Sequence, residues 1–349
     1  MHLEPRQHAS FWVFGAASIS ASIIALALCG LLILWSHAPV LKAYELIVVG
    51  ALGQPIALAD TLTRATPLIF TGLAVAIGFR ARVWNIGAEG QLYAGAITSI
   101  WIGAYSHDLP PVVLIPILMV VGALAGGLLL LVPIILKLKL ALDEVVTTLL
   151  LNFVMLPVVN YLIFNPWKDP MAMGWPRSVP IVSEGMLPKL MTGTNLSIGL
   201  RIGCGCAVLL WLIIRFSVLG FEMPAVGANP RAAAFAGIPV GRTMLMTAMM
   251  SGGLAGLAGV VEIIGTNGYL TLDLSSGYGY TGIAVAMLAA LHPIGVVFAA
   301  LFVAMVYIGA DSMGQTLGIS SYLADVISAT ILLAVLGSTL FVRYRLALS

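Results

Sequence analysis

Long apolar runs recur along most of the chain, from residue 11 to residue 342. They do not alternate with polar residues, and most approach the ~20 residues that a helix needs to cross a bilayer core. Only helices and closed barrels satisfy their backbone polar groups there, so runs of this kind predict an all-α integral membrane protein. About ten crossings are predicted, at residues 12–35, 61–79, 86–105, 111–136, 143–164, 196–217, 243–265, 278–291, 293–311 and 320–342.

The eighth and ninth predicted helices are short and meet at His292 and Pro293. Short or broken helices of this kind line many transport paths. A single re-entrant hairpin made from both segments is an alternative. A near repeat, "TGLAVA" at 71–76 and "TGIAVA" at 281–286, is a weak indication of duplicated halves, and we expect its small residues to lie at helix contacts.

The composition agrees with a membrane protein. Of 349 residues, 60% are hydrophobic and 9% are charged, and the mean hydropathy is +1.07. So few charges cannot cover a water-exposed globule of this size, and we predict a single transmembrane domain over residues 1–349. The net charge of +2 does not indicate nucleic-acid binding, and the three cysteines, which all lie in apolar runs, do not form a zinc-binding pattern.

Basic residues predict the orientation. With the N-terminus in the cytoplasm, ten of the 16 Lys and Arg residues lie inside and six lie outside, as the positive-inside rule requires. Both termini are then cytoplasmic. Residues 165–195 form an outer loop and residues 218–242 form an inner loop.

The inner loop contains a predicted two-turn helix. Asn229 is a good N-cap, Pro230 suits the first helical position, and Gly237 followed by Pro239 ends the helix. Isolated helices this short are marginal in water, so another surface should cover it. That surface is either the lipid headgroups or a cytoplasmic partner protein.

The segment "VWNIGAEGQLYAGA" places Asn85, Glu89 and Gln91 at the start of an apolar run. In one interpretation they begin the third helix: Asn85 caps it, and Glu89 lies near its positive end and pairs with Arg80 or Arg82. Glu89 would then lie near the cytoplasmic end, away from the bilayer centre. In the other interpretation the three polar side chains face a central path and contact the substrate or form an inner gate.

Other embedded polar residues add to this picture. Glu144 and Asn152 share one face of the fifth helix, and Asn152 either bonds a neighbouring helix or contacts substrate. Few charges lie at depth, which favours a neutral, hydroxyl-rich or planar solute. Flat apolar surfaces for a planar solute are available on Tyr93, Phe153, Tyr278 and Tyr280.

Four segments carry a family resemblance. The run "GANPRAAAFAGI" resembles the coupling-loop motif of permease subunits of ATP-binding-cassette importers for branched-chain amino acids, simple sugars and nucleosides. "NIGAEGQLYAGA" is similar to the signature of the nucleoside and simple-sugar members, and "LDEVVTTLLLNFV" and "GYGYTGIAVAMLAALHPIG" also fit. One departure is His292-Pro293, where family members often carry Asn-Pro.

The resemblance implies a type II-like permease in a bacterial inner membrane. Two permease chains would pair, as a heterodimer or a homodimer. Cytoplasmic ATPases would dock on the coupling helices, and a binding protein outside would deliver substrate to the outer loop, where Arg177, Glu184 and Lys189 are candidate contacts. The implied ATPase-coupling residues are Gly227, Asn229, Pro230, Arg231, Ala233, Phe235 and Gly237. The candidate path residues are Asn85, Glu89, Gln91, Tyr93, Glu144, Asn152, Tyr278 and Tyr280.

The expected activity is transport without catalysis in this chain. The sequence contains no phosphate-binding G-x-x-x-x-G-K-[ST] motif, so no cofactor is expected in it, and ATP and Mg²⁺ would bind the partner ATPase. Nucleosides are the first expected substrate, and simple sugars such as ribose or galactose are the alternative. An ion-coupled secondary transporter is the alternative from another class.

Overall fold

The structure is a computed structural model that describes residues 2–5, 27–31, 33–35, 38–106 and 108–347. The chain divides into two compact units, one formed by Met1–Thr61 with Leu301–Ser349 and the other by Leu62–Ala300. Most of the first predicted crossing, 12–35, lies outside the described residues. The candidate path and coupling residues all belong to the second unit.

The described chain is almost entirely helical. Its helices from residue 40 onward are α1 (Val40–Leu52), α2 (Pro55–Arg80), α3 (Ala88–Gly103), α4 (Pro111–Leu140), α5 (Glu144–Phe164), α6 (Gly199–Phe216), α7 (Val218–Ala228), α8 (Pro230–Phe235), α9 (Val240–Glu262), α10 (Tyr278–Leu288), α11 (Pro293–Leu317) and α12 (Ser321–Arg343). Two short strands, β1 (His2–Pro5) and β2 (Tyr344–Ala347), pair antiparallel with His2 opposite Ala347.

Nine of the ten predicted crossings coincide with a described helix. Within the described residues, six helices are long and apolar enough to span a membrane, or seven if the bent pair at residues 27–52 is one span. α3 has only 16 residues and α10 only 11. The ninth predicted crossing is longer than expected, because α11 has 25 residues and can span alone. This length argues against a re-entrant hairpin made from α10 and α11.

The inner loop contains one more helix than the sequence predicts. Residues 218–228, which belong to the predicted inner loop, form the helix α7, and the Ser217 hydroxyl accepts a hydrogen bond from the Gly220 N–H at 3.1 Å. The Thr243 hydroxyl at the start of α9 donates to the Glu222 carboxylate at 2.8 Å. This helix is difficult to predict from the sequence because it has only 11 residues and contains Pro224.

The second unit is centred on α3, α4 and α9, which cross at very short backbone distances. A Cβ atom on Gly95 of α3 would overlap the Gly256 carbonyl oxygen of α9. A Cβ on Gly259 would likewise overlap the carbonyl oxygen of Leu92. Small residues permit this close packing in membranes, where apolar side chains gain little by leaving lipid.

The outer loop is bonded to the segment after α9 by backbone hydrogen bonds. The N–H groups of Ser178 and Leu187 donate to the carbonyl oxygens of Leu270 and Ile264 at 2.9 and 2.8 Å. Ile181 lies between these two bonds and is buried. The loop is therefore a packed layer over residues 263–274.

In the first unit, α1 packs against the second half of α11. A Cβ on Gly309 would overlap the Ile47 carbonyl oxygen, so the two backbones are in contact. The Cys29 thiol donates to the Ile327 carbonyl at 3.7 Å. Cys29 is buried.

Candidate translocation path and coupling surface

The turn between α2 and α3 is the most polar part of the buried core. The Asn85 side chain donates to Gln91 Oε1 at 2.8 Å and to Ser251 Oγ at 3.0 Å. Its oxygen accepts from the Gln91 amide group at 2.8 Å. Ser251 in turn donates to the Ala74 carbonyl at 2.6 Å. These bonds join α2, α3 and α9 through fully buried polar groups, each of which has a partner.

Asn85 does not cap α3 as expected. The N-cap residue is Gly87, and the Asn85 oxygen accepts from the Gly87 N–H at 3.0 Å. Asn85 therefore shapes the turn before the helix. The amide pair with Gln91, six residues along the chain, needs both side chains to fold inward, and local capping rules do not predict it.

Glu89 lies at the start of a second helix as well as its own. Its Oε2 accepts from the Gly279 N–H at 2.7 Å, in the first turn of α10. A Cβ on Gly279 would overlap the Glu89 backbone, so the starts of α3 and α10 touch. A carboxylate is favoured at two helix N-termini because both carry partial positive charge.

This geometry corrects the expected pairing of Glu89 with Arg80 or Arg82. The carboxylate bonds the backbone of α10, whereas the Arg80 guanidinium donates to the carbonyl of Leu291. Gly279 lies nine residues before Leu288, or about 14 Å along α10, which is roughly half of a ~30 Å hydrocarbon core. Glu89 is therefore far from the end of the bundle that carries Arg80, and is 5% exposed.

Asn152 holds the first turn of α3 from the side of α5. Its oxygen accepts from the Gly90 N–H at 2.9 Å, and its amide donates to the Ile86 carbonyl at 2.9 Å. The same amide group lies 3.1 Å from the Tyr280 hydroxyl, which accepts from it. Asn152 thus makes the interhelix hydrogen bonds that were one of its two predicted roles, and it connects α3, α5 and α10.

The candidate aromatic residues differ in accessibility. Tyr93 is buried, and its hydroxyl donates to the Leu272 carbonyl at 2.7 Å. Tyr278 is partly buried, and its N–H donates to Ser275 Oγ at 3.0 Å. Tyr280 is 41% exposed and Phe153 is also exposed. The ring of Tyr93 is therefore covered by the segment 268–277, whereas Tyr280 presents an accessible ring beside Asn152.

Glu144 is separated from this group. It begins α5, eight residues before Asn152, and its carboxylate forms an ion pair with Lys137 at the end of α4. Lys137 also donates to the Arg82 carbonyl at 3.3 Å. Glu144 closes the α4–α5 connection at one end of the bundle and does not join the central polar cluster, which we define as Asn85, Glu89, Gln91, Asn152 and Ser251.

The repeated segments of α2 and α10 contact each other. A Cβ on Gly282 would lie 2.7 Å from Thr71 Oγ1, and a Cβ on Gly72 would lie 2.8 Å from Val285. Both copies of the motif thus lie at a helix contact, as expected from their small residues. The contacts advance along both helices in the same direction, so α2 and α10 run parallel.

The predicted coupling helix forms as α8. Asn229 is its N-cap and accepts from the N–H groups of Arg231 and Ala232 at 3.0 and 3.2 Å. Pro230 occupies the first helical position, and Gly237 follows the helix at φ 82°. These features confirm the helix predicted from the sequence.

The two faces of α8 differ. Phe235 is 96% exposed, whereas Ala233 is 5% exposed and faces the rest of the chain. Gly227 is buried too, and a Cβ there would overlap the carbonyl oxygen of Arg80. Ala233 and Gly227 therefore hold the loop in place, and Arg231 and Phe235 present the accessible surface.

A pocket of about 470 Å³ opens where the outer loop meets the segment after α9. It is lined by Trp175, Arg177, Tyr269, Leu272 and Asp273. The Arg177 guanidinium pairs with Asp169 at 2.8 Å and lies 4.9 Å from the centre of the Tyr269 ring. Leu272, one of the residues that line the pocket, also accepts the hydrogen bond from the hydroxyl of the buried Tyr93.

The candidate outer-loop charges have partners within the chain. Arg177 bonds Asp169, and the Lys189 ammonium donates to the Gly265 carbonyl at 2.7 Å. Burial lowers the pKa of Lys189, and the nearby Glu262 carboxylate acts in the opposite direction. The exposed Glu184 carboxylate accepts from the hydroxyl of the adjacent Ser183 at 3.0 Å. Arg177 and Lys189 thus stabilise the loop on its support.

Sequence reasoning missed the partners that come from distant helices. Ser251, Gly279 and Leu291 each bond a residue at least 160 positions away, and no local pattern marks them. Ser251 carries a weak signal, since it precedes two glycines inside an apolar helix. The Gly279 and Leu291 partners are backbone groups, so side-chain chemistry could not have identified them.

The comparisons with known proteins agree with this geometry. Residues 57–336 match the family model described as branched-chain amino acid transport system / permease component. A guanosine ABC transporter permease protein of Bacillus subtilis is 35% identical over 91% of this chain and 92% of its own length. A nucleoside ABC transporter permease protein of Lactococcus lactis is 33% identical over 83% and 81%. A glucose ABC transporter permease protein of Haloferax volcanii is 30% identical over 100% and 94%. No solved structure matches the chain.

The long apolar helices and the family match define a multi-pass membrane transport subunit and not an enzyme. The chain belongs to the family of branched-chain amino acid transport system permease components. A second guanosine permease protein of Bacillus subtilis and a second nucleoside permease protein of Lactococcus lactis also match it, at 27% and 25% identity.

Proposed function

We propose that this chain is one permease subunit of an ATP-driven importer and forms half of a path for nucleosides that operates by alternating access. The observation that carries the proposal is an exposed, well-capped α8 in a chain whose relatives include guanosine and nucleoside ABC transporter permeases. The paired relatives support a second, paralogous permease as its partner. A cytoplasmic ATPase binds ATP and Mg²⁺ and docks on α8, and a binding protein delivers substrate outside.

The proposed topology has ten crossings in a type II-like permease, with both termini in the cytoplasm of a bacterial inner membrane. The nine described helices that match predicted crossings support this number, together with the first predicted run. The pairing of β1 with β2 supports placing both ends on one side. The family match from 57 to 336 includes parts of both compact units, which supports one permease domain.

In the proposed path, the central polar cluster is the closed midpoint. Asn85, Gln91 and Ser251 bond one another. Glu89 accepts from the Gly279 N–H and Asn152 donates to the Tyr280 hydroxyl, so a solute can reach Glu89 and Asn152 only after α10 separates from α3 and α5. Glu89, Asn152 and Tyr280 then supply a carboxylate, an amide and an aromatic ring, which suit the ribose hydroxyls and the base of a nucleoside. The pocket beside Trp175 is where the solute enters from outside.

Reconstitution tests the proposal. The chain is placed in liposomes with its partner permease, the ATPase and the binding protein, and uptake of labelled guanosine, ribose and glucose is measured with and without ATP. ATP-dependent guanosine uptake is expected, and uptake of sugars alone would favour the alternative suggested by the Haloferax relative. Uptake that persists without ATP but stops when ion gradients are dissipated would establish a secondary transporter.

A further inference from the structure

The end of α2 holds the turn between α10 and α11. The Arg80 guanidinium donates to the Leu291 carbonyl twice, from Nε at 3.1 Å and from Nη2 at 2.9 Å. Two hydrogen bonds from one rigid guanidinium fix direction as well as distance. The C-terminal end of α10 is therefore fastened to the C-terminal end of α2.

The turn itself adopts an unfavourable backbone conformation. Ala290 and Leu291 have φ angles of 49° and 62°, in the left-handed region that residues with a Cβ seldom occupy. The Leu291 N–H donates back to the Ala286 carbonyl at 2.9 Å and closes the turn. Two consecutive residues in this region persist when surrounding contacts hold them, and Arg80 supplies the contact to Leu291.

The coupling loop touches the other side of Arg80. Gly227, two residues before Asn229, packs so closely that a Cβ there would overlap the Arg80 carbonyl oxygen. The end of α7 is therefore in direct contact with the backbone of Arg80. The contact lies outside the central cluster and needs no solute.

The opposite end of α10 reaches the central cluster. The Gly279 N–H donates to Glu89, and Gly282 packs on Thr71 one turn further on. α10 has only 11 residues, so one short helix joins the bond between Arg80 and Leu291 to the bond between Gly279 and Glu89.

We propose that Arg80 is a positioning residue that transmits the movement of the coupling loop to α10 and so controls the bond between Gly279 and Glu89. The inference rests on the proposed function, because it assigns the route from the ATPase to the path. The proposed coupling route runs through Gly227, Arg80, Leu291, Gly279 and Glu89 in that order. Each adjacent pair is in contact or belongs to the same helix and its turn.

The first experiment measures coupling in reconstituted transporter. Arg80→Gln removes the double donor, and Arg80→Lys keeps the charge with one donor nitrogen. The matched control is Arg82→Gln. It also removes one positive charge, but from an exposed side chain two residues after Arg80. We expect Arg80→Gln to raise the ATP hydrolysed per imported guanosine by about tenfold, Arg80→Lys to raise it less, and Arg82→Gln to leave it unchanged. ATPase co-purification should stay at the wild-type level.

The proposal would be overturned if both Arg80 variants hydrolysed the same amount of ATP per imported guanosine as the wild type, even if uptake and hydrolysis both fell. Thermal stability of each variant in detergent distinguishes a folding defect, and if Arg80→Gln does not accumulate, Arg80→Lys decides. A purely structural Arg80 would lower stability and leave the ratio constant.

A second experiment needs no imported solute, so it separates this inference from the proposed substrate. Cys29, Cys204 and Cys206 are replaced by alanine, and Ser276→Cys, at an exposed position before α10, is labelled with a maleimide. In the complex with the ATPase, ATP should change the rate of maleimide labelling at least about threefold. A threefold change corresponds to a free-energy difference of about 0.65 kcal/mol. Adding Arg80→Gln should abolish that change, and its persistence would overturn the proposal even if no nucleoside were imported.

Discussion

The coupling helix and the central polar cluster differ in how they are built. α8 is specified by neighbours in sequence: its N-cap, its first proline and its terminating glycine lie within nine positions and act on the same short segment. The central cluster draws its bonds from α2, α3, α5, α9 and α10. One region is local and exposed, and the other is assembled by packing and buried.

The comparison teaches that side chains in these two regions contribute very differently to folding stability. A buried polar network is expensive to disturb because every lost partner leaves an unpaired group. An exposed helix can change its side chains at little cost to folding. Substitutions in the two regions should therefore differ in their cost to folding, and measuring that cost tests the contrast.

The largest effect is expected at the glycine crossing. Gly256→Leu forces α9 away from α4, because a Cβ on Gly256 would overlap the Gly122 carbonyl oxygen, and should lower the free energy of unfolding by about 3 kcal/mol or more. The matched control is Gly205→Leu, since Gly205 is also a helical glycine but has open space around it. Thermal denaturation in detergent measures both, and equal melting temperatures would refute the close crossing.

Asn152→Leu comes next. It leaves the Gly90 N–H and the Ile86 carbonyl without their partner, which should cost about 2 kcal/mol. Asn160→Leu, at an exposed position on the same helix, should be nearly neutral. Stability of both variants in a denaturant titration, with uptake measured alongside, tests the assignment, and similar losses would show that the network is not special.

A smaller effect is expected at the helix cap. Asn229→Ala removes the acceptor for the Arg231 and Ala232 N–H groups and should destabilise α8 by about 1 kcal/mol. Asn229→Asp keeps the acceptor and serves as the control. Hydrogen exchange of residues 230–236 reports the local loss, and unaltered protection in Asn229→Ala would contradict it.

The smallest effect on folding is expected at Phe235. Phe235→Asp should change the free energy of unfolding by less than about 0.5 kcal/mol, because the ring contacts almost nothing in the chain. It should nevertheless weaken ATPase binding at least about thirtyfold, as removal of an interface anchor does. Phe235→Leu keeps an apolar contact and should bind better. Pull-down of the ATPase decides, and wild-type binding by Phe235→Asp would exclude this face.

The sequence predicts what depends on neighbours and misses what depends on packing. Helix positions, the α8 cap and the shortness of α10 follow from apolar runs and terminating residues. The partner of Glu89 does not, because a backbone N–H of another helix carries no sequence signal. α7 was missed for a related reason: Pro224 suggests a loop, and only the fold shows that the helix tolerates it.

The bare ring of Phe235 has a consequence for assembly in the cell. An exposed aromatic side chain can bind other hydrophobic surfaces nonspecifically. Copies synthesised in excess of the proposed ATPase partner would keep that ring uncovered, and quality-control proteases could recognise them. Balanced production of the two polypeptides would thus protect each copy as it leaves the ribosome.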